Sequence, residues 1–342
     1  MNKFDDPTGS AVTTNTEWEE FSGFLPVDAV ITEGRPAIEW LDLKGVEFNE
    51  PFFHQTIMRV EAGRTDMRVT TDYDALLQFE KICDSVAPTG FIFHSSRCGS
   101  TLVANACRSL NGSVVIAEAP VIDKIVSRFF TDAEPGSTKE LLYLLLLKAA
   151  VNVLGQQRTE GQRFFVKFAC TSTLQMNRVR RIWPDVPFVF LYRDPIEVIV
   201  SNLRSIPEWL NPESNPATAA AIVGVSESEV CSLTQEEFCA RAVGRFFAAA
   251  RENVSERMCV LNYNQLTPDT LVATIKFLGI EPTPAEIDVI QRVSRLYSKD
   301  STQSQTFQPD TESKQASASE TVRVLADKFA MPFYKDLNSQ RS

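Results

Sequence analysis

The residues best placed to do chemistry lie between Phe91 and Leu102. The apolar run Phe91-Ile92-Phe93 ends at His94, and Ser95, Ser96, Arg97, Cys98, Gly99, Ser100 and Thr101 follow before helix-favouring residues resume. That pattern predicts a buried strand, a tight loop and the start of a helix. A helix start presents unpaired N–H groups and the positive end of the helix dipole, so it suits an anion. Arg97 adds a fixed positive charge in the middle of the loop. The chemistry to expect is binding of a phosphate or sulfate, with Ser96, Arg97, Cys98, Gly99, Ser100 and Thr101 forming the cradle.

A nucleotide-triphosphate loop of the G-x-x-x-x-G-K-[ST] type fits poorly. Laid on Gly99, it puts His94 in the first glycine position and Ser100 in the lysine position. The lysine that faces the β/γ-phosphates is therefore missing. Magnesium-dependent chemistry also needs a carboxylate after an apolar strand. The main candidate is Asp194, set between Arg193 and Pro195. An ATP-dependent P-loop kinase stays open as an alternative.

Three segments, in order, carry a family resemblance. Ser96-Arg97-Cys98-Gly99-Ser100-Thr101-Leu102 resembles the P-[RK]-[SG]-G-[ST]-T-L loop of sulfotransferases that use 3′-phosphoadenosine 5′-phosphosulfate (PAPS). Arg193-Asp194-Pro195 through Ser201 resembles their R-[DN]-P-x-x-x-x-x-S segment, whose Arg and Ser grip the 3′-phosphate. Asn262-Tyr263-Asn264-Gln265-Leu266, followed by Phe277-Leu278-Gly279, resembles their x-Y-E-[DQ]-L … F-L-G stretch. The resemblance spans roughly residues 90–300. Ser96 replaces the usual proline, and Cys98 replaces a small Ser or Gly.

The resemblance implies that PAPS is the donor, that adenosine 3′,5′-bisphosphate (PAP) is the product, and that no metal takes part. Arg97 would stabilise the leaving group, and Arg193, Ser201 and Tyr263 would surround the 3′-phosphate, with Arg204 and Lys299 as outlying cations. Lys167 falls in the apolar stretch Phe164–Phe168, where a lysine is costly unless it meets an anion. It aligns with the lysine of the family's x-E-K-[TS]-P segment, although Phe168 and Ala169 replace Thr-Pro.

The acceptor's proton also needs a base. Glu118 directly follows the strand-like Ser113–Ala117, at the edge where parallel-sheet sites form. In the tyrosylprotein sulfotransferases, which share the arginine form of the loop, a catalytic Glu follows at similar spacing. The plainer role for Glu118 is to face the first turn of the next helix. His94 competes as the base or caps the loop, and His54, beside Phe52 and Phe53, reads as a partly buried structural residue. Cys98 is an oxidisable thiol or, more simply, a packing residue.

Whole-chain properties narrow the field. The 342 residues carry a net charge of −10, which disfavours a nucleic-acid or acidic-membrane binder. The apolar fraction of 44% and charged fraction of 23% are ordinary for a globular chain. Seven scattered cysteines without a C-x-x-C pair suit a reducing compartment, and two histidines make a zinc site unpromising. No signal segment is expected in the polar N-terminus, and the run Leu141–Leu147 is far too short to span a bilayer. A cytoplasmic location follows as the expectation.

Strands are expected at Ser113–Ala117, Phe164–Phe168, Pro187–Leu191 and Met258–Leu261, with helices between them. Helix starts are marked by Thr234-Gln235-Glu236-Glu237, Thr267-Pro268 and Thr283-Pro284. Apolar strands alternating with helices imply an α/β protein. The expected fold is a P-loop-type three-layer sandwich with a central parallel sheet of about five strands.

Residues 1–18 should be loose, 19–88 an N-terminal addition packed on the core, and 89–342 the main domain with a mobile loop at about 298–320. Within the addition, Ala37–Leu43 and Gln55–Val60 look β-leaning and Thr71–Cys83 helical, while 205–233 reads as a loop on the acceptor side. The function to expect is sulfuryl transfer from PAPS to a hydroxyl or amine of a small-molecule acceptor. The expected partners are that acceptor and, at most, a second copy in a homodimer, with neither nucleic acid nor membrane. A non-catalytic nucleotide-binding or scaffold protein stays open beside the kinase.

Overall fold

The computed structural model describes residues 21–32, 35–63, 68–296 and 310–339. The segment 1–18, Lys299 and the 298–309 part of the expected mobile loop lie outside the described residues.

The N-terminal part contains β1 (Phe24–Thr32), β2 (Arg35–Asp42), α1 (Phe53–Glu61), β3 (Arg68–Asp72) and α2 (Tyr73–Glu80). The three strands form an antiparallel sheet in the order β1-β2-β3. Gln55–Val60 is helical, not β-leaning. Its buried residues Phe53, Thr56, Ile57 and Val60 recur at three- and four-residue spacing, which is the period of one helix face. The expected helix at Thr71–Cys83 begins only after Asp72, whose side chain caps it by accepting from the Ala75 N–H at 2.9 Å.

The chain goes on through β4 (Gly90–His94), α3 (Ser100–Arg108), β5 (Ser113–Ala117), α4 (Pro120–Thr131), α5 (Thr138–Leu154), β6 (Arg163–Lys167) and α6 (Met176–Ile182). It continues through β7 (Phe188–Tyr192), α7 (Pro195–Arg204), α8 (Pro216–Val223), α9 (Glu227–Val230), α10 (Gln235–Glu252), β8 (Met258–Asn262), α11 (Pro268–Phe277) and α12 (Pro284–Val293). After the gap come α13 (Thr311–Ser317), α14 (Glu320–Phe329) and α15 (Met331–Ser339). The region 205–233 is therefore not a plain loop but holds two short helices, α8 and α9. Asn215 and Ser226 cap its two short helices, so its polar residues mark helix starts within the region.

The five strands β5-β6-β4-β7-β8 form a parallel sheet in that order. Alternation along each strand sends Phe91, Phe93, Phe164, Val166, Phe188 and Phe190 to one core. Ile92, Phe165, Val189 and Leu191 go to the other, beneath α3, α11 and α12. The result is three layers, with the N-terminal sheet sharing the larger core through Leu25, Ile38 and Trp40. The chain leaves β4 towards β5 and leaves β7 towards β8, so the connections diverge between these two neighbours. Ligands bind at such switch points, outside the carboxyl ends of the strands.

The seven cysteines are unpaired. No helix among the described residues is long and apolar enough to cross a membrane.

Candidate active site

Every strand of the parallel sheet ends at the same edge, and the residues singled out in the sequence collect there. His94 ends β4, Glu118 follows β5, Lys167 ends β6, Arg193 follows β7 and Tyr263 follows β8.

The loop between β4 and α3 turns tightly. Ser96 and Arg97 have φ of 70° and 47°, and Gly99, at 84°, caps α3. Glycine is required at position 99 for space as well as for φ. A Cβ there would lie 2.5 Å from Leu266 Cδ1 and 3.1 Å from Tyr263 Cδ2. Ser100 and Thr101 stand in the first turn of α3.

Lys167 is 1% exposed and sits beneath the ring of Phe52, its ammonium 5.2 Å from the centroid. Its Nζ donates to Glu118 Oε1. His94 Nδ1 accepts the Ser96 N–H at 3.1 Å, which leaves the ring proton of neutral His94 on Nε2. That Nε2 lies 3.3 Å from the same Glu118 oxygen. Burial works against ionisation of Glu118, but Lys167 and then His94 outweigh it and hold the carboxyl well below the ordinary carboxylate range. Glu118 also adopts a φ of 53°, a conformation uncommon for a residue with a side chain.

Arg97 turns towards α7. Its Nη2 donates to the Ser205 carbonyl at 2.8 Å, and its Nε approaches Asn202 Oδ1 at 3.4 Å. The same Asn202 oxygen accepts from Ser96 Oγ at 3.0 Å. Cys98 is buried, its thiol donating to the Leu191 carbonyl at 3.2 Å, and burial pushes its pKa up.

The second cluster lies at the start of α7. The Arg193 guanidinium stacks 3.8 Å from the centre of the Tyr263 ring, and Nε donates to Glu197 Oε2 at 2.5 Å. Asp194 caps α7 by accepting from the Ile196 and Glu197 N–H groups. Ser201 lies on α7, partly exposed. Arg204, near the end of α7, donates to Ser317 Oγ at 2.6 Å. His54 is exposed, not partly buried as expected, and its ring stacks on Phe52 with centroids 5.7 Å apart.

The sequence reading missed several groups. Asn202, on the buried face of α7 four residues after Val198, ties the loop down; its signal was a polar residue at apolar helical spacing. Phe52 had no comparable signal. Asp123, in the first turn of α4, is pushed well above the ordinary carboxyl range by burial and then by Glu118. Asp310, Thr311 and Lys314 reach the Arg193 cluster from far along the chain.

No protein-family model matches this chain, and no curated protein does. Solved structures similar to the chain include sulfotransferases. One is the sulfotransferase from Alicyclobacillus acidocaldarius, 15% identical with a TM-score of 0.39, covering 73% of this chain and 99% of that one. Mouse sulfotransferase SULT7A1 complexed with PAP is 12% identical with a TM-score of 0.36, over 75% and 80% of the two chains. Retinol dehydratase in a complex with retinol and PAP is 14% identical with a TM-score of 0.35, over 80% and 88%.

Proposed function

We propose that this protein is a PAPS-dependent sulfotransferase that moves a sulfuryl group to a hydroxyl or amine of a small-molecule acceptor. The observation that carries the reading is the Lys167–Glu118 pair beside the Gly99 loop. Sulfuryl transfer needs a cation for the leaving phosphate and a base for the acceptor, and the pair supplies one of each.

PAPS brings an activated sulfuryl group joined to a phosphate leaving group. The residues fit such a donor. The first-turn N–H groups of α3, with the Ser100 and Thr101 hydroxyls, suit the 5′-phosphate, and Arg193 with Ser201 suits the 3′-phosphate. Arg97 and Lys167 are the cations for the charge that develops on the leaving group. His94 directs its Nε2–H at Glu118 and orients the carboxylate.

A carboxylate held as low as Glu118 is a weak base. Once Lys167 turns to an anionic donor, Glu118 loses its counter-charge and its proton affinity rises. Donor binding thus arms the base, and donor should bind before acceptor. Phe52, whose ring covers Lys167 and carries His54 stacked on it, brings the N-terminal addition to the acceptor side. Seven free cysteines suit the cytoplasm as the place of action.

Thermal shift with PAP against ATP plus Mg²⁺ tests the donor, since stabilisation follows occupancy of the folded state. PAP should stabilise the protein and ATP should not; preference for ATP overturns the reading. Transfer of labelled sulfate from PAPS across a panel of phenols, alcohols and amines then tests the reaction class.

A further inference from the structure

The guanidinium of Arg193 is 3% exposed and already engaged. Besides Glu197, its Nη2 donates to Asp310 Oδ1 at 2.6 Å and to Thr311 Oγ1 at 3.3 Å. The other Asp310 oxygen takes Lys314 Nζ at 2.7 Å, and Lys314 is itself only 5% exposed. One carboxylate is therefore gripped by two buried cations from different elements.

Glu197 lies in the first turn of α7 and Arg193 only four residues before it in sequence, so their pairing is local. Asp310 comes from 117 residues further along the chain. Two oxygens held between a guanidinium and an ammonium are what a bound phosphate would also present.

We propose that Asp310 occupies the place of the donor's 3′-phosphate between Arg193 and Lys314, so that carboxylate and phosphate exclude each other. The proposal rests on the PAPS reading above. Lys314, which no motif marked, then becomes a ligand of the 3′-phosphate in the bound state. Asp310 is the carboxylate that Arg193 and Lys314 share, so its departure frees a guanidinium N–H and an ammonium for the phosphate oxygens.

Asp310 is not all that holds α13 in place. Thr311 Oγ1 donates to Glu197 Oε2 at 3.1 Å, Gln315 Nε2 to Asp194 Oδ1 at 3.1 Å, and Arg204 to Ser317 Oγ at 2.6 Å. Neutralising Asp310 should thus leave the helix docked.

The test is calorimetric titration of the full chain with PAP and with 5′-AMP, which lacks the 3′-phosphate. Asp310→Asn should bind PAP about tenfold more tightly, because the competing state is removed. Lys314→Met should bind PAP about tenfold more weakly, through loss of one charge-assisted bond. Neither change should move 5′-AMP affinity. Unchanged or weaker PAP binding by Asp310→Asn, or an equal gain for 5′-AMP, overturns the exchange. Arg193→Met separates the two ideas. If it weakens PAP binding while Asp310→Asn is neutral, only the exchange fails. If it leaves PAP binding intact, or the native protein ignores PAP, the donor reading fails and the exchange with it.

Discussion

Glu118 and Lys167 are joined twice. The backbone N–H of Glu118 donates to the Lys167 carbonyl at 2.7 Å, and the side chains meet through Nζ and Oε1. The first bond extends the parallel pairing of β5 with β6, in which Ala117 lies opposite Lys167. The second exists because both side chains leave the sheet at its carboxyl edge. Strand register thus puts a buried cation and its carboxylate in contact across 49 residues of sequence.

Glu118→Gln removes the proposed base and leaves its shape. Turnover should fall by about 10²–10⁴-fold while PAP affinity is kept. His94→Ala should cost less, because that ring orients the carboxylate from 3.3 Å away. Sulfate transfer and PAP titration on both variants give the answer; the reverse order of losses would move the base to His94.

Lys167→Met strips the counter-charge from Glu118 and should destabilise the fold by about 1–3 kcal/mol at pH 8. The carboxyl is depressed in the folded protein, so this stabilisation is present above the unfolded value of about 4.3 and fades as pH falls towards the folded one. The difference in Tm between native and variant protein should therefore shrink from pH 8 to pH 3. A difference that grows on acidification would remove the ion pair from the account.

Gly99→Ala meets both a positive φ and a collision with Leu266 and Tyr263. A loss of about 1–3 kcal/mol is expected from the crowding. PAP affinity should fall as well, since Tyr263 stacks on Arg193. Urea denaturation with PAP titration measures both effects.

Thiol reagents should modify exposed Cys231 quickly in the native protein and leave buried Cys98 untouched. Cys98→Ser should keep most of the activity. Rapid labelling of Cys98, mapped by mass spectrometry, would instead mark it as a reactive thiol.

Asn202→Ala removes the acceptor shared by Ser96 and Arg97 inside a buried site. About 1–3 kcal/mol of stability should go with it. The KM for PAPS should rise more than kcat falls, because the loop is the part proposed to hold the donor.

The strands of the parallel sheet and most of the helices around it follow from the sequence alone. Each parallel strand is a short apolar run, covered on both faces by necessity, and the helices announce themselves by caps such as Thr234 and Thr283. The Gly99 loop, Glu118, Lys167 and Arg193 were likewise visible, because charged or small polar residues at the ends of apolar strands need a reason to be there. What the sequence could not convey was partnership. Gln55–Val60 looked extended until its buried face proved to have helical spacing, and Phe52 became part of the site only when α1 packed near β6. Asp310 and Lys314 sit in a polar stretch with no pattern of their own, and only the docking of α13 on α7 brings them to Arg193. Local propensity and burial periodicity act over a few residues and can be read along the chain. Which carboxylate a buried cation meets depends on strand order, register and helix docking, and those are decided by the packing of the whole chain.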